Sequence, residues 1–190
     1  MEHYNYHQKL KEIWDKSVDM YQKGGRNANM FYNGVDLEFF RMIGANPTEM
    51  YDFVEDHCDD GEPDWEMFLL VQSVRRDYFY HHQHGKFSEN IITEDSLPAK
   101  DDTVREIRWL PRILAKAKAK LRGELPTNIM YGCGGDRAFL KEHDVHPGDF
   151  LRAVWAFEDN DEALLDWFVN QSAVAAPPQI QETNGENPLS

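Results

Sequence analysis

The chain matches itself at an offset of one hundred residues. Leu10 falls on Leu110, Ile13 on Ile113 and Lys16 on Lys116. Met30, Gly34, Asp36 and Phe39 fall on Met130, Gly134, Asp136 and Phe139. Pro47, Val54, Asp59 and Glu62 fall on Pro147, Val154, Asp159 and Glu162. These are eleven identities between residues 10 and 62, without a gap. Chance pairing of average compositions gives about three over such a window. Similar pairs, Phe31 with Tyr131 and Arg41 with Lys141, lengthen the match. A repeat of this kind constrains the architecture before any local motif does. It favours two similar halves packed as one unit.

Each half reads as helical. The first helix is expected from about Tyr6 to Lys23, stopped by Gly24-Gly25, and its counterpart from about Thr103 to Arg122, stopped by Gly123. Glycine just past a helix accepts the left-handed backbone without steric cost. Leu110, Ile113, Ala117 and Leu121 recur at helical spacing along one face. A short helix follows, opened by Asp36 or Asp136, where an acid suits the helix dipole. Asn46-Pro47-Thr48-Glu49 then announces a third helix, with Asn at the N-cap, Pro at N1 and Glu at N3. His146-Pro147-Gly148-Asp149 keeps the Pro and the acid. A fourth helix begins near Pro63-Asp64, and its counterpart near Asp161. The expected fold is therefore all-α, with two tandem helical repeats of about four helices each. The expected boundaries are 1–85 for repeat one, 86–102 for a polar connector, 103–174 for repeat two and 175–190 for a disordered tail.

Charge narrows the partners. The formal net charge is −14, which disfavours binding to nucleic-acid phosphates. Residues 105–122 run against this trend, with seven Lys or Arg and one Glu. The chain carries two cysteines, too few for a disulfide framework. No apolar run approaches membrane length, and the first ten residues lack the apolar core of a signal peptide. A soluble cytoplasmic protein is expected, with no membrane partner.

The stretch Trp109-Leu-Pro-Arg-Ile-Leu-Ala-Lys-Ala-Lys-Ala-Lys-Leu-Arg-Gly123 and the later Tyr131-Gly-Cys133-Gly-Gly-Asp136-Arg137-Ala-Phe139-Leu140 resemble a bacterial family known as domain of unknown function 5069. The resemblance covers roughly residues 95–172. The preceding part, with Glu55-Asp56, Gly61-Glu62-Pro63 and Arg75-Arg76-Asp77-Tyr78-Phe79, looks like the N-terminal region of longer members. The family name brings no activity.

Three clusters carry chemistry. His81 and His84 stand three apart near a helix end, a spacing that lets two imidazoles reach one metal ion, with His57 as a further ligand. The structural alternative is that histidines in a last turn stabilise the helix C-terminus. Cys133, Asp136 and Arg137 form a second, catalytic candidate, with Gly132, Gly134 and Gly135 freeing amides around the thiol. Gly134 and Asp136 recur as Gly34 and Asp36, which equally suits a turn with a capping acid. Arg108, Arg112, Lys116 and Lys120 are spaced by four and would line one helix face as a site for an anion or an acidic partner. They would otherwise neutralise acids of the same molecule, such as Glu55-Asp56 and Asp59-Asp60. Arg75 and Arg76 pose the same choice, between structural ion pairing and an anion clamp. The reading that follows is a binding or interaction module for an acidic protein or a phosphorylated small molecule. Its rival is a metal- or thiol-dependent enzyme, with one asymmetric site per chain.

Overall fold

The computed structural model describes residues 3–175, so the expected tail lies outside the described residues save for Ala175. Four helices come first: α1 (Tyr6–Gln22), α2 (Gly34–Ile43), α3 (Pro47–Asp60) and α4 (Trp65–His81). A two-stranded antiparallel ribbon, β1 (Thr103–Val104) and β2 (Ile107–Arg108), then precedes α5 (Leu110–Arg122). Three more helices follow: α6 (Gly134–Glu142), α7 (Pro147–Ala156) and α8 (Asp161–Ala175). The protein is mainly α-helical.

The starts follow from capping chemistry. Asn33 accepts from the amides of Val35 and Asp36, while Asp36 accepts back from the Asn33 amide at 3.1 Å, a complete capping box. Asn46 caps α3 through the Thr48 amide at 2.9 Å, and Asp64 caps α4 through the Met67 amide at 2.9 Å. His146 caps α7 with its ring nitrogen, 3.0 Å from the Gly148 amide.

One boundary differs from expectation. The helix foreseen from Thr103 begins only at Leu110. Arg105 and Glu106 both adopt the left-handed conformation (φ 51° and 66°), which turns the chain back as a hairpin. Pro111 lies in the first turn of α5, the helical place where its missing N–H costs nothing. Arg108 therefore lies on β2, and the basic face of α5 is carried by Arg112, Lys116 and Lys120 alone.

Leu10, Ile13 and Val54 are buried, as are Leu110, Ile113 and Val154. Helix α1 packs on α3, and α5 packs on α7. Helix α4 touches α1, α5 and α7, so it joins the first four helices to the last four. Phe168 of α8 sits among Phe139, Phe150 and His143. No helix among the described residues is long and apolar enough to cross a membrane.

Candidate functional site

On α3, Glu49, Asp52 and Asp56 fall at positions i, i+3 and i+7, so they share a face. Two adjoining cavities lie between this face and α5. The first, about 320 Å³, is lined by Glu49, Asp52, Arg75 and Lys120 and by the apolar side chains of Leu37, Phe40, Leu125 and Ile129. The second, about 400 Å³, is lined by Asp52, Asp56, Trp109, Arg112, Lys116 and Cys133. Asp52, Thr127 and Ile129 border both.

In the first cavity, charge is buried. Lys120 donates to Glu49 and, at 3.3 Å, to Gln72, and both ends of the Lys120–Glu49 pair are nearly closed to water. Burial lowers the Lys120 pKa against the pull of Glu49. Arg75 is 2% exposed and donates through Nη1 to Gln83 Oε1 at 2.8 Å. Gln83 in turn donates to the carbonyl of Arg122 at 2.9 Å, which ties Arg75 to the end of α5. Burial draws the Arg75 pKa down to about 10, with Glu49 opposing. Three buried polar atoms in this cluster have no hydrogen-bond partner among the described residues: Glu49 Oε1, Gln72 Nε2 and Arg75 Nη2. Such atoms cost roughly 1–3 kcal/mol each unless something meets them. Gly123, at φ 69°, closes on the guanidinium; a Cβ there would stand 2.6 Å from Arg75 Nη2. Asp52 is half-buried, and its pKa is raised to about 7 by burial and then by Glu49, Glu55 and Asp56. A carboxyl near neutrality in a cleft is a mark of functional sites.

In the second cavity, Lys116 is paired with Asp136, which is wholly buried and also accepts from the Gly132 amide at 3.0 Å and Trp109 Nε1 at 3.2 Å. The same ion pair stands one hundred residues earlier, between Lys16 and Asp36. What differs is the cap. Asn33 caps α2, whereas Cys133 at the N-cap of α6 makes no side-chain cap bond. Its sulfur lies 3.5 Å from Lys116 Nζ.

The residues singled out in the sequence fall in different places. Cys133, Asp136 and Lys116 come together. Arg137 turns away to bridge the halves: it reaches Asp56 at 2.8 Å and the carbonyls of Gly132 and Glu62 at 2.8 and 2.9 Å. Arg112 donates to the Pro98 carbonyl at 2.7 Å and lies 3.9 Å from Glu94. Exposed Arg108 donates to the Lys100 carbonyl at 3.3 Å. The cations of α5 thus meet other acids than the runs 55–56 and 59–60: Arg112 meets Glu94, Lys116 meets Asp136, Lys118 meets Asp161, Lys120 meets Glu49 and Arg122 meets Glu124.

The three histidines are not brought together. His57 Nδ1 sits 2.8 Å from the Pro63 carbonyl, beside Trp14. His81 ends α4, about 24 Å along the helix at 1.5 Å per residue. The helix stops there, so His84, with φ 52°, does not share a helical face with His81. Instead His82 stacks on Tyr78 and lies 3.2 Å from Glu158. Among the described residues, no group of three His, Cys, Asp or Glu side chains is placed to hold a metal ion.

Sequence reasoning saw Glu49 only as a capping residue and passed over Asp52. The available signal was the i, i+3, i+7 acid spacing on a helix that also carries a clear apolar face.

Fold and cleft together define a mainly α-helical protein with a charged, apolar-sided cleft between its first and last four helices. Residues 96–187 match the model of the family described as Domain of unknown function (DUF5069). The match begins at the connector and does not extend over helices α1–α4. No curated protein and no solved structure matches the chain.

Proposed function

We propose that the protein is a binding module, a duplicated four-helix unit with one small-molecule site per chain, in the cleft between α3 and α5. Support for the duplication comes from helix starts at Gly34 and Gly134 and at Pro47 and Pro147, and from the ion pairs Lys16–Asp36 and Lys116–Asp136. The observation that carries the site is the buried charge of Arg75, Lys120 and Glu49 in the wall of an apolar-sided cavity of about 320 Å³. Buried charges of this kind contribute little to stability compared with an apolar packing of the same volume. A ligand that meets them gains strong, desolvated hydrogen bonds. Of the basic face, Lys120 lines this cavity beside Arg75 of α4, and Arg112 and Lys116 line the second cavity.

Filling the cavity tests this. A fragment library scanned by thermal shift should contain members that stabilise the natural chain but not the Leu125→Trp variant. Equal stabilisation of both, or of neither, refutes the site. A second reading, thiol chemistry at Cys133, is favoured by the 3.5 Å contact with Lys116 at an uncapped helix start. It requires Cys133 to alkylate at neutral pH faster than a free thiol of ordinary reactivity.

A further inference from the structure

Resting on the cleft reading above, we propose that the ligand is an apolar monocarboxylate, the counter-ion that the buried Arg75 lacks. Arg75 is 2% exposed and makes no ion pair among the described residues. Its guanidinium is met by the Gln83 side-chain oxygen at 2.8 Å and by the face of Phe79, both neutral. Glu49 acts on Arg75, but it is already paired with Lys120. Buried cations are ordinarily matched by a carboxylate, because an unmatched one is costly. Arg75 stands instead in the wall of the cavity of about 320 Å³.

The other charges of the wall leave the balance on the same side. Lys120 and Glu49 cancel. Arg41 of α2 also lines the cavity, is exposed and makes no ion pair among the described residues. Asp52 of α3 is the remaining carboxylate of the lining, set against both guanidinium groups. Three cations against two carboxylates leave one positive charge, which a single carboxylate neutralises. A phosphoryl group would bring about two negative charges. An amine would add to the surplus, and a ligand of no net charge would leave it standing. Arg41 supplies the planar fork that a carboxylate fits. Arg75 need not be touched, since a charge in a wall of low dielectric acts across the gap with little screening. Leu37, Phe40, Leu125, Ile129 and exposed Phe87 offer apolar surface to the rest of the ligand.

Calorimetric titration of the full chain with butyrate, hexanoate, octanoate and phenylacetate, and with the alcohol and the amine of each, provides the test. At least one of these carboxylates should bind at one site per chain. Its alcohol and its amine should each bind at least about tenfold more weakly, the loss expected when a charge-assisted contact goes unmade. Arg41→Gln, a change at an exposed side chain, should weaken that carboxylate by about fivefold and leave its alcohol unchanged. Asp52→Asn should tighten it by about fivefold at pH 8.5, above the Asp52 pKa of about 7, because a like charge leaves the wall. Far-ultraviolet circular dichroism matching the natural chain is the fold control for both variants. Failure of all the carboxylates to bind overturns the proposal, as does an alcohol that binds as tightly as its carboxylate, or a carboxylate affinity that neither variant changes. If the alcohols bind in a Leu125→Trp-sensitive manner without preference for the carboxylates, the cleft site stands and only the ligand class falls. If the fragment library also fails, both fall.

Discussion

Lys116 and Lys16 make the same ion pair in different surroundings, and the difference is measurable. The Lys116 side chain is 5% exposed against 38% for Lys16. Lys116→Met leaves wholly buried Asp136 without its cation, so chemical denaturation should report a loss of about 3–5 kcal/mol. Lys16→Met should cost about 1 kcal/mol or less, because water reaches that pair. Asp52 gives a pH signature. Its folded pKa, about 7, lies above the ordinary carboxylate value. Folding therefore takes up a proton, and the contribution is complete below about pH 4 and lost as pH rises through about 7. Urea melts at pH 5 and pH 8.5 should differ by an Asp52 share of about 1–2 kcal/mol, reduced from the full shift by its partial exposure. That share should vanish in Asp52→Asn; an identical pH dependence in the variant would contradict the assignment. Asp136 was legible in the sequence because it recurs with Gly134 in both halves. Asp52 was not, since its spacing from Glu49 and Asp56 marks only a shared helix face, and only the cleft makes its burial costly.

At the level of elements, the caps were the most legible feature. Asn46, Asp64 and the Pro residues at 47 and 147 place helix starts through short-range chemistry, which tertiary packing seldom overrides. The β1–β2 ribbon was missed for the opposite reason. Its turn rests on Arg105 and Glu106 in a left-handed conformation that their side chains do not advertise. Pro111 was the usable signal for a later start of α5. The turn makes a prediction of its own. Arg105 is held by Glu162 and Asp166 on α8, but Glu106 is exposed and makes no ion pair among the described residues. Glu106→Gly should therefore stabilise the protein by about 0.5–1 kcal/mol, relieving the left-handed strain, as read from the urea midpoint. A lower midpoint would mean that the Glu106 side chain is needed.

For the whole molecule, the repeat made the order of helices readable, but the cleft joins residues far apart in the chain. Lys120 meets Glu49 and Arg137 meets Asp56, contacts that no local pattern encodes. Helix α4 packs on α1, α5 and α7, so the halves should unfold in one calorimetric transition; two resolved transitions would show that they are independent. The two halves share their frame, while Arg75, Asp52 and Lys120 have no like counterparts at Ala175, Arg152 and Met20. A single asymmetric site is the central consequence. An amide-resolved NMR titration with a ligand from the fragment scan tests it most directly. The account predicts one saturable site per chain, with shifts confined to α2, α3 and the turn between them, α5, the second half of α4, Phe87 and residues 123–130. Two equivalent sites one hundred residues apart, or shifts away from the cleft, would contradict it.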